Sequence, residues 1–161
     1  MVRAIAVPVA ALLFTACGGS ASTPAAVTTT TPQPIAGDVE RTEFNPTLGV
    51  HLDQMVKRAS GLYVQDLAMG TGTIALRGKT AVVRYTGWLP NGKRFDEGEV
   101  TVNLGSRQTI PAWEEGLLGM RVGGKRRLVV PPNLGYGARG AGNDIPPNSV
   151  LVFDMTLQSV L

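Results

Sequence analysis

The sequence predicts an α+β domain in which a curled antiparallel β-sheet wraps around one short α-helix. The helix is expected at residues 110–120, IPAWEEGLLGM, and β-rich runs flank it at 81–88, 100–104, 125–130 and 150–157. With 161 residues, the chain has room for about one domain. A single helix among several strands buries its apolar face most readily against a sheet, which is the layer arrangement of the α+β class.

The helix prediction depends on the residues at its ends and on the spacing of its apolar residues. Pro111 suits a first helical position, where its missing N–H removes no hydrogen bond, and Gly119 suits a C-cap. Ile110, Trp113 and Leu117 recur at spacings of three and four, so they share one face. We therefore expect the Trp113 indole to point at whatever covers that face.

Alternation and turn residues define the remaining strands. Residues 61–67 alternate well enough for a first strand, and the Pro-Asn-Gly-Lys turn at 90–93 reverses the chain after the run at 81–88. The chain then returns through Phe95 and Asp96. These two neighbours would point to opposite sides of a regular strand, so we expect a bulge or a strand end that lets both border one hollow.

Two polar segments follow the helix. The basic run Lys125-Arg126-Arg127 opens a strand, and we interpret it as a solvated sheet edge, where charge discourages the addition of further strands. A site for nucleic acid or phospholipid is the alternative interpretation. The net charge of +3 gives no support to nucleic acid as a partner. Residues 131–147 form a long loop rich in Gly, Pro and Asn, a length typical of functional or mobile loops.

The first part of the chain has the composition of a secretion signal and a tether. Arg3 precedes a short apolar run at 4–14, and small residues lead to Cys17, the only cysteine. The pattern resembles a bacterial lipobox, which implies a signal peptide at 1–16 and lipidation of Cys17. An ordinary signal peptide with a coincidental cysteine is the alternative. Residues 17–37, rich in Thr, Pro and Ala, are predicted to be a disordered tether. We therefore expect an exported, membrane-anchored bacterial lipoprotein of the cell envelope or periplasm.

Residues 38–60 are predicted to be an N-terminal extension that lies against the domain without belonging to its core. A helical turn is expected at 53–58. His51 is the only histidine of the chain. With no second histidine or cysteine nearby, it is interpreted as a surface or hinge residue rather than a metal ligand.

The domain predicted at 61–161 lacks the residue types of covalent or phosphate chemistry. It has no cysteine, no histidine and no Gly-rich phosphate-binding loop, and we predict neither a metal nor a cofactor. Aromatic residues stand out instead, and they are Tyr85, Phe95, Trp113, Tyr136 and Phe153. In a generic domain such residues would simply fill the core.

Five motifs, in order along the chain, resemble the FKBP family of peptidyl-prolyl cis-trans isomerases. They are VVRYTGWLPNGKRFD, VNLG, IPAWEEGLLGM, GGKRRLVVPPNLGYG and IPPNSVLVFDMTL. The resemblance covers residues 61–161, essentially the whole predicted domain. It implies a curled antiparallel sheet around one short helix, and rotation of X–Pro peptide bonds as the activity.

The resemblance also implies a site. The implied catalytic residues are Tyr85, Phe95, Asp96 and Tyr136. The implied substrate-binding residues are Val100, Thr109, Ile110, Trp113, Ile145 and Phe153. Trp113 resembles the floor of the pocket, and the backbone N–H of Ile110 resembles a donor to a ligand carbonyl. Val100 stands where an aromatic wall residue is common in the family, the stretch between Asp96 and Val100 looks shortened, and Ala141 stands where some members carry a histidine.

We therefore predict an isomerase of X–Pro bonds in exported proteins that works through an apolar aromatic pocket without covalent catalysis. The expected partners are proline-containing polypeptides, macrolide inhibitors and a membrane reached through the lipid anchor. No nucleic-acid partner is expected, and the chain is expected to be a monomer. One alternative is the same fold acting as a chaperone or binding module with little turnover, which Val100 keeps open. The other is a structural surface lipoprotein, which would leave the aromatic pocket unexplained.

Overall fold

Six antiparallel strands and one α-helix make up the regular structure of residues 37–161, the part of the chain that the computed structural model describes. The strands are β1 (Val56–Lys57), β2 (Tyr63–Ala68), β3 (Thr80–Trp88), β4 (Arg94–Asn103), β5 (Lys125–Val130) and β6 (Leu151–Val160), and the helix is α1 (Pro111–Leu117). Their order across the sheet is β1-β2-β5-β6-β3-β4. The predicted α+β class is confirmed. The predicted signal peptide, Cys17 and nearly all of the predicted tether lie outside the described residues.

Helix α1 forms where it was predicted but is shorter than the stretch 110–120. It begins at Pro111, with Ile110 as its N-cap residue, and it ends at Leu117. Gly119 follows with a φ of +81°, a left-handed conformation that stops a helix and that glycine adopts without strain. Pro111 at the first position and Gly119 just after the last turn therefore mark the two ends of the helix.

Strands β3 and β4 form one long hairpin. Residues predicted as two separate segments, 94–96 and 100–104, belong to the single strand β4. The register pairs Gly87 with Asp96 and Trp88 with Arg94, which leaves Phe95 without a partner across the hairpin. This arrangement is a β-bulge at Phe95, and it confirms the predicted irregularity.

The main hydrophobic core lies between the sheet and α1. It contains Trp113 from the helix together with Val83 of β3, Leu128 of β5 and Phe153 of β6. A Cβ at Gly116 would come within 2.5 Å of a methyl carbon of Leu128, so helix and sheet approach each other closely at this glycine. This close contact fixes the height of α1, and of Trp113, above the sheet.

The basic run at the start of β5 does not lie at a sheet edge, so that prediction is wrong. Strand β5 pairs with β2 on one side and with β6 on the other. The guanidinium of Arg126, a residue only 7% exposed, bonds both carboxylate oxygens of Asp66, at 2.6 and 3.1 Å. Arg127 makes the same bidentate contact with Asp154, at 2.6 and 2.9 Å. The sheet accommodates these cations because each is matched by a hydrogen-bonded carboxylate.

The N-terminal extension contributes to a second hydrophobic cluster, which corrects the prediction that it stays outside the core. Val39, Leu48 and Met55 are buried in this cluster together with Val129 of β5. Side chains alternate along a strand, so Val129 faces away from the main core, where its neighbour Leu128 lies. The extension therefore covers the sheet face opposite to α1.

The rest of the extension is made of three single 3₁₀ turns, Val39–Arg41, Pro46–Leu48 and Leu52–Gln54, followed by the short edge strand β1. The helical turn expected at 53–58 is only partly observed, because the third 3₁₀ turn ends at Gln54 and residues 56–57 form β1. His51 is exposed, which confirms it as a surface residue. Within residues 37–161, no helix has the length and apolar character needed to cross a bilayer.

Candidate active site

A cavity of about 430 Å³ is bounded by α1, the strands β3, β4 and β6, and two loops. Its lining residues are Tyr85, Asp96, Val100, Gln108, Thr109, Ile110, Trp113, Tyr136 and Phe153. Alternation along β4 explains two of them, because Asp96 and Val100 are an even number of positions apart and share one face. Tyr85 lies on the same face, since it is paired with Gly98 between them.

The aromatic rings of the cavity meet edge to face. The Trp113 ring lies 4.7 Å from that of Tyr85, centre to centre, at an interplanar angle of 68°. The Trp113 ring also lies 5.5 Å from that of Phe153, at 89°. Each pair adds stabilisation beyond its buried area, so the indole is held on two sides. The result is a preformed apolar surface at the start of α1.

One hydrogen-bonded pair supplies the polar side of the cavity. The Tyr85 hydroxyl donates to Oδ2 of Asp96 at 2.8 Å. Burial, with a contribution from the Asp96 carboxylate, raises the pKa of Tyr85 to about 12. Burial also raises the pKa of Tyr136, and the charge of Asp96 adds to the effect. Both hydroxyls are therefore neutral donors throughout the physiological pH range.

Three polar groups of the cavity residues have no hydrogen-bond partner within residues 37–161. Two are buried side-chain atoms, Nε1 of Trp113 and Oγ1 of Thr109. The third is the backbone N–H of Ile110, whose carbonyl accepts from the Trp113 N–H at 3.0 Å while its own N–H makes no bond. Unpaired buried polar groups are costly in a folded protein. The two side-chain atoms are almost wholly buried, so the unpaired N–H of the lining residue Ile110 is the candidate donor to a ligand.

The structure places eight of the ten predicted site residues on the cavity, and the other two nearby. Phe95 does not border the cavity, contrary to the prediction, and lies behind its wall, with its ring 5.6 Å from that of Phe153 at an angle of 90°. It fits there because Gly87 has no side chain, and a Cβ at Gly87 would come within 2.6 Å of the Phe95 ring. Ile145 is 5% exposed and belongs to the main core, where a pair of backbone hydrogen bonds ties it to Ala141.

Gln108 is the lining residue that the sequence did not single out. It precedes Thr109 in the loop between β4 and α1, and its side-chain oxygen accepts from the Asn103 amide at 3.3 Å. Its position next to Thr109 was the one available signal, because a glutamine in a loop carries no pattern of its own.

An antiparallel sheet around one short helix, with an aromatic cavity between them, defines the class of prolyl isomerase domains. The family model described as FKBP-type peptidyl-prolyl cis-trans isomerase matches residues 72–158. The chain belongs to this family and is a peptidyl-prolyl cis-trans isomerase.

Relatives of known identity agree with this assignment. The FK506-binding protein of Neisseria meningitidis serogroup B is 47% identical over 105 residues, which are 62% of this chain and 96% of that protein. A crystal structure of a peptidyl-prolyl cis-trans isomerase from Pseudomonas syringae pv. tomato has a TM-score of 0.61 and 38% identity, covering 66% of this chain and 80% of that one. FkpA from Escherichia coli has a TM-score of 0.62 and 37% identity, covering 71% of this chain and 55% of that one. The predicted fold and isomerase activity are confirmed.

Proposed function

We propose that the chain rotates X–Pro peptide bonds in exported polypeptides, at a membrane to which a lipid on Cys17 anchors it. The observation that carries the catalytic part is the aromatic cavity around Trp113, with its single hydrogen-bonded carboxylate. The proposal includes the roles of the individual site residues, the clients and the anchor.

The chemistry of the peptide bond explains why an apolar cavity is enough. Amide resonance gives rotation a barrier of about 18–20 kcal/mol. X–Pro bonds populate both isomers, which exchange over tens to hundreds of seconds without a catalyst. The twisted transition state has lost this resonance and is less polar along the C–N bond. A cavity that binds the twisted form more tightly than the planar form therefore lowers the barrier.

Each predicted residue has a physical part in this scheme. The Trp113 indole supports the proline ring, and Tyr85 and Phe153 hold the indole in place through their edge-to-face contacts. Phe95 acts indirectly, by supporting Phe153 from behind. Val100 supplies an aliphatic wall, which leaves more room than an aromatic ring would.

The polar groups orient the client chain. The unpaired N–H of Ile110 donates to a carbonyl of the client next to the proline. Asp96, held by Tyr85, interacts with the imide as it twists, and the neutral Tyr136 hydroxyl offers a further donor at the edge. Thr109 and Ile145 shape the mouth, Thr109 as a lining residue and Ile145 by fixing the loop to Ala141.

A macrolide that mimics proline is proposed as a competitive inhibitor. Relatives of this chain carry the name FK506-binding protein, and the cavity walls are apolar rings. We propose a monomer as the working unit, because residues 37–161 of a single chain already provide the cavity lining. Analytical ultracentrifugation at micromolar concentration should give a single species of the mass of one chain.

The proposed anchor depends on Cys17, the only thiol of the chain, which follows a short apolar run and two small residues. A single acyl chain binds membranes only marginally, so two or three chains on this residue would be needed for stable anchoring. The roughly twenty residues of the predicted tether, 17–37, would span on the order of 25 Å as a random coil. Such a tether would let the cavity reach clients near the membrane surface.

To test the proposal, the full chain and its Cys17→Ser variant are expressed in a bacterial host. Detergent partitioning and isomerase activity are then measured for both. The wild type should partition into detergent and isomerise a proline peptide in that fraction, whereas the variant should stay in the aqueous fraction or remain unprocessed. A processed variant that still partitions with detergent would refute the lipid anchor. Absence of isomerisation in both proteins would refute the catalytic part.

A further inference from the structure

A second cavity, of about 510 Å³, adjoins the aromatic cavity around Trp113, which is called the first cavity below. Thr109 lines both of them, so the two spaces lie on either side of one residue. Two arginines, Arg77 and Arg107, line the second cavity, and both are exposed. Neither guanidinium makes a hydrogen bond or an ion pair to another residue in the range 37–161. This separates them from Arg126 and Arg127, whose carboxylate partners lie within the sheet.

The carboxylates of the second cavity are already engaged. Both oxygens of Glu114 accept backbone N–H groups, from Gly105 at 2.5 Å and from Arg107 at 2.9 Å. Glu115 accepts the Ser60 hydroxyl at 2.9 Å. The acceptors of this cavity therefore have partners within the protein, while the guanidinium donors do not. A ligand that matches the cavity brings acceptors and negative charge.

The loop that carries Arg107 is held in one conformation. Arg107 has a φ of +57°, which is uncommon for a residue with a side chain. The bond from its N–H to Glu114 keeps it there. Arg77 packs its side-chain stem against Gly105, where an added Cβ would come within 2.8 Å of the Arg77 Cγ. Both cations are thus attached to a fixed frame beside Thr109.

We propose that the second cavity binds an acidic side chain of the client, located near the proline that occupies the first cavity. This inference rests on the proposed function of the first cavity. An extended chain advances by about 3.3–3.6 Å per residue. A client residue within roughly one to four positions of the proline can therefore pass Thr109 and place its side chain in the second cavity. A planar guanidinium matches a carboxylate with two parallel hydrogen bonds, which makes Asp and Glu the favoured occupants.

The test uses the full chain and a set of peptides with one Leu-Pro core. Glu, Gln or Lys is placed in turn at each of about four positions on either side of the core, and kcat/KM is measured by exchange NMR. At one position at least, the Glu peptide should exceed the Gln peptide by about two- to fivefold, mainly through KM, since an exposed ion pair has this strength. The Lys peptide should be the poorest of the three.

Arg107→Gln and Arg77→Gln should each lower the Glu-to-Gln ratio, and raising the salt concentration from about 0.02 M to about 0.5 M should do the same. Arg84→Gln is the matched control, because Arg84 is exposed and points away from the face on which its neighbour Tyr85 lies. It should leave the ratio unchanged. A Glu-to-Gln ratio near one at every position, or a ratio that both arginine variants preserve, would overturn the inference. If no peptide is isomerised, the proposed function itself fails.

Discussion

The hydrogen bond of 2.8 Å from the Tyr85 hydroxyl to Oδ2 of Asp96 runs diagonally across the hairpin of β3 and β4. Asp96 is paired with Gly87, and Tyr85 is paired with Gly98, so a glycine lies opposite each partner. Regular pairing from Tyr85–Gly98 to Gly87–Asp96 places Asp96 on the face of Tyr85, and the bulge begins only at the next residue, Phe95. Pairing of the two strands thus brings the Asp96 carboxylate and its donor, the Tyr85 hydroxyl, together at the edge of the aromatic cavity.

Replacing Asp96 tests the role of this carboxylate. Asp96→Ala should lower kcat/KM by about three- to tenfold, because it removes one polar interaction with the twisted imide, worth about 0.5–1.5 kcal/mol. The free energy of unfolding should change by no more than about 0.5 kcal/mol, since Asp96 is exposed. Steady-state isomerisation and urea denaturation measure the two quantities.

Glu97→Ala is the matched control for that variant. Glu97 is the next carboxylate along β4 and pairs with Arg94 at 2.7 Å, on the exposed side. It should leave turnover unchanged. If Asp96→Ala behaves like Glu97→Ala, Asp96 has no part in the reaction.

The raised pKa of Tyr85 predicts a change of stability at high pH. The folded state holds the phenol proton up to a pKa of about 12, against an ordinary value of 10.0. The unfolded chain ionises first, so the stabilisation is complete below pH 10 and is lost as the pH rises from about 10 to 12. In Tyr85→Phe this contribution to the loss should be absent. Urea midpoints between pH 9 and about pH 11.5 measure the difference.

Absorbance at 295 nm gives an independent measurement of the same ionisation. The wild type should show a late phenolate component that Tyr85→Phe lacks, whereas Tyr136→Phe should retain it. A titration in which Tyr85→Phe removes a component near pH 10 would show that the Tyr85 pKa is not raised.

Two ion pairs of different exposure should differ in their effect on stability. Arg127 and Asp154 pair inside the sheet, with side chains 13% and 11% exposed. Asp154→Ala should cost about 3 kcal/mol, because it leaves Arg127 charged and without its bidentate partner. Lys93 and Asp144 pair on the surface, with side chains 52% and 66% exposed, and Lys93→Gln should cost about 0–1 kcal/mol. Urea denaturation decides the matter, and equal costs for the two variants would contradict the assignment of Arg127 to the interior.

The sequence predicted what depends on local pattern. Pro111 and Gly119 mark the helix ends through their own backbone geometry, and the β-rich composition of residues 81–88 is visible in the sequence. The bulge at Phe95 was also predicted, but its expected consequence was not observed, because Asp96 lines the cavity while Phe95 packs against Phe153 behind the wall.

The sequence did not predict what depends on distant partners. Arg126 and Arg127 read as an exposed edge because Asp66 and Asp154, their partners, lie 60 and 27 positions away. The extension likewise read as peripheral because its apolar residues are few. They become a cluster only when the outer face of the sheet supplies Val129 and its neighbours.

Trp113 is the residue on which the account depends most. Trp113→Leu keeps an apolar side chain but removes the indole that Tyr85 and Phe153 hold, at a cost of about 1–3 kcal/mol in stability. Trp88→Phe is the control, because Trp88 packs against the second cluster, on the other face of the sheet. In the Trp88→Phe background, a macrolide should perturb the remaining emission, that of Trp113.

The most direct measurement is kcat/KM for a proline peptide, divided by the folded fraction taken from a denaturation curve of each variant. If Trp113 forms the floor of the catalytic cavity, this scaled rate should fall at least about tenfold in Trp113→Leu, a loss of about 1.4 kcal/mol in transition-state binding, and stay at the wild-type value in Trp88→Phe. A scaled rate of Trp113→Leu equal to that of the wild type would contradict the account and leave Trp113 a residue of the core alone.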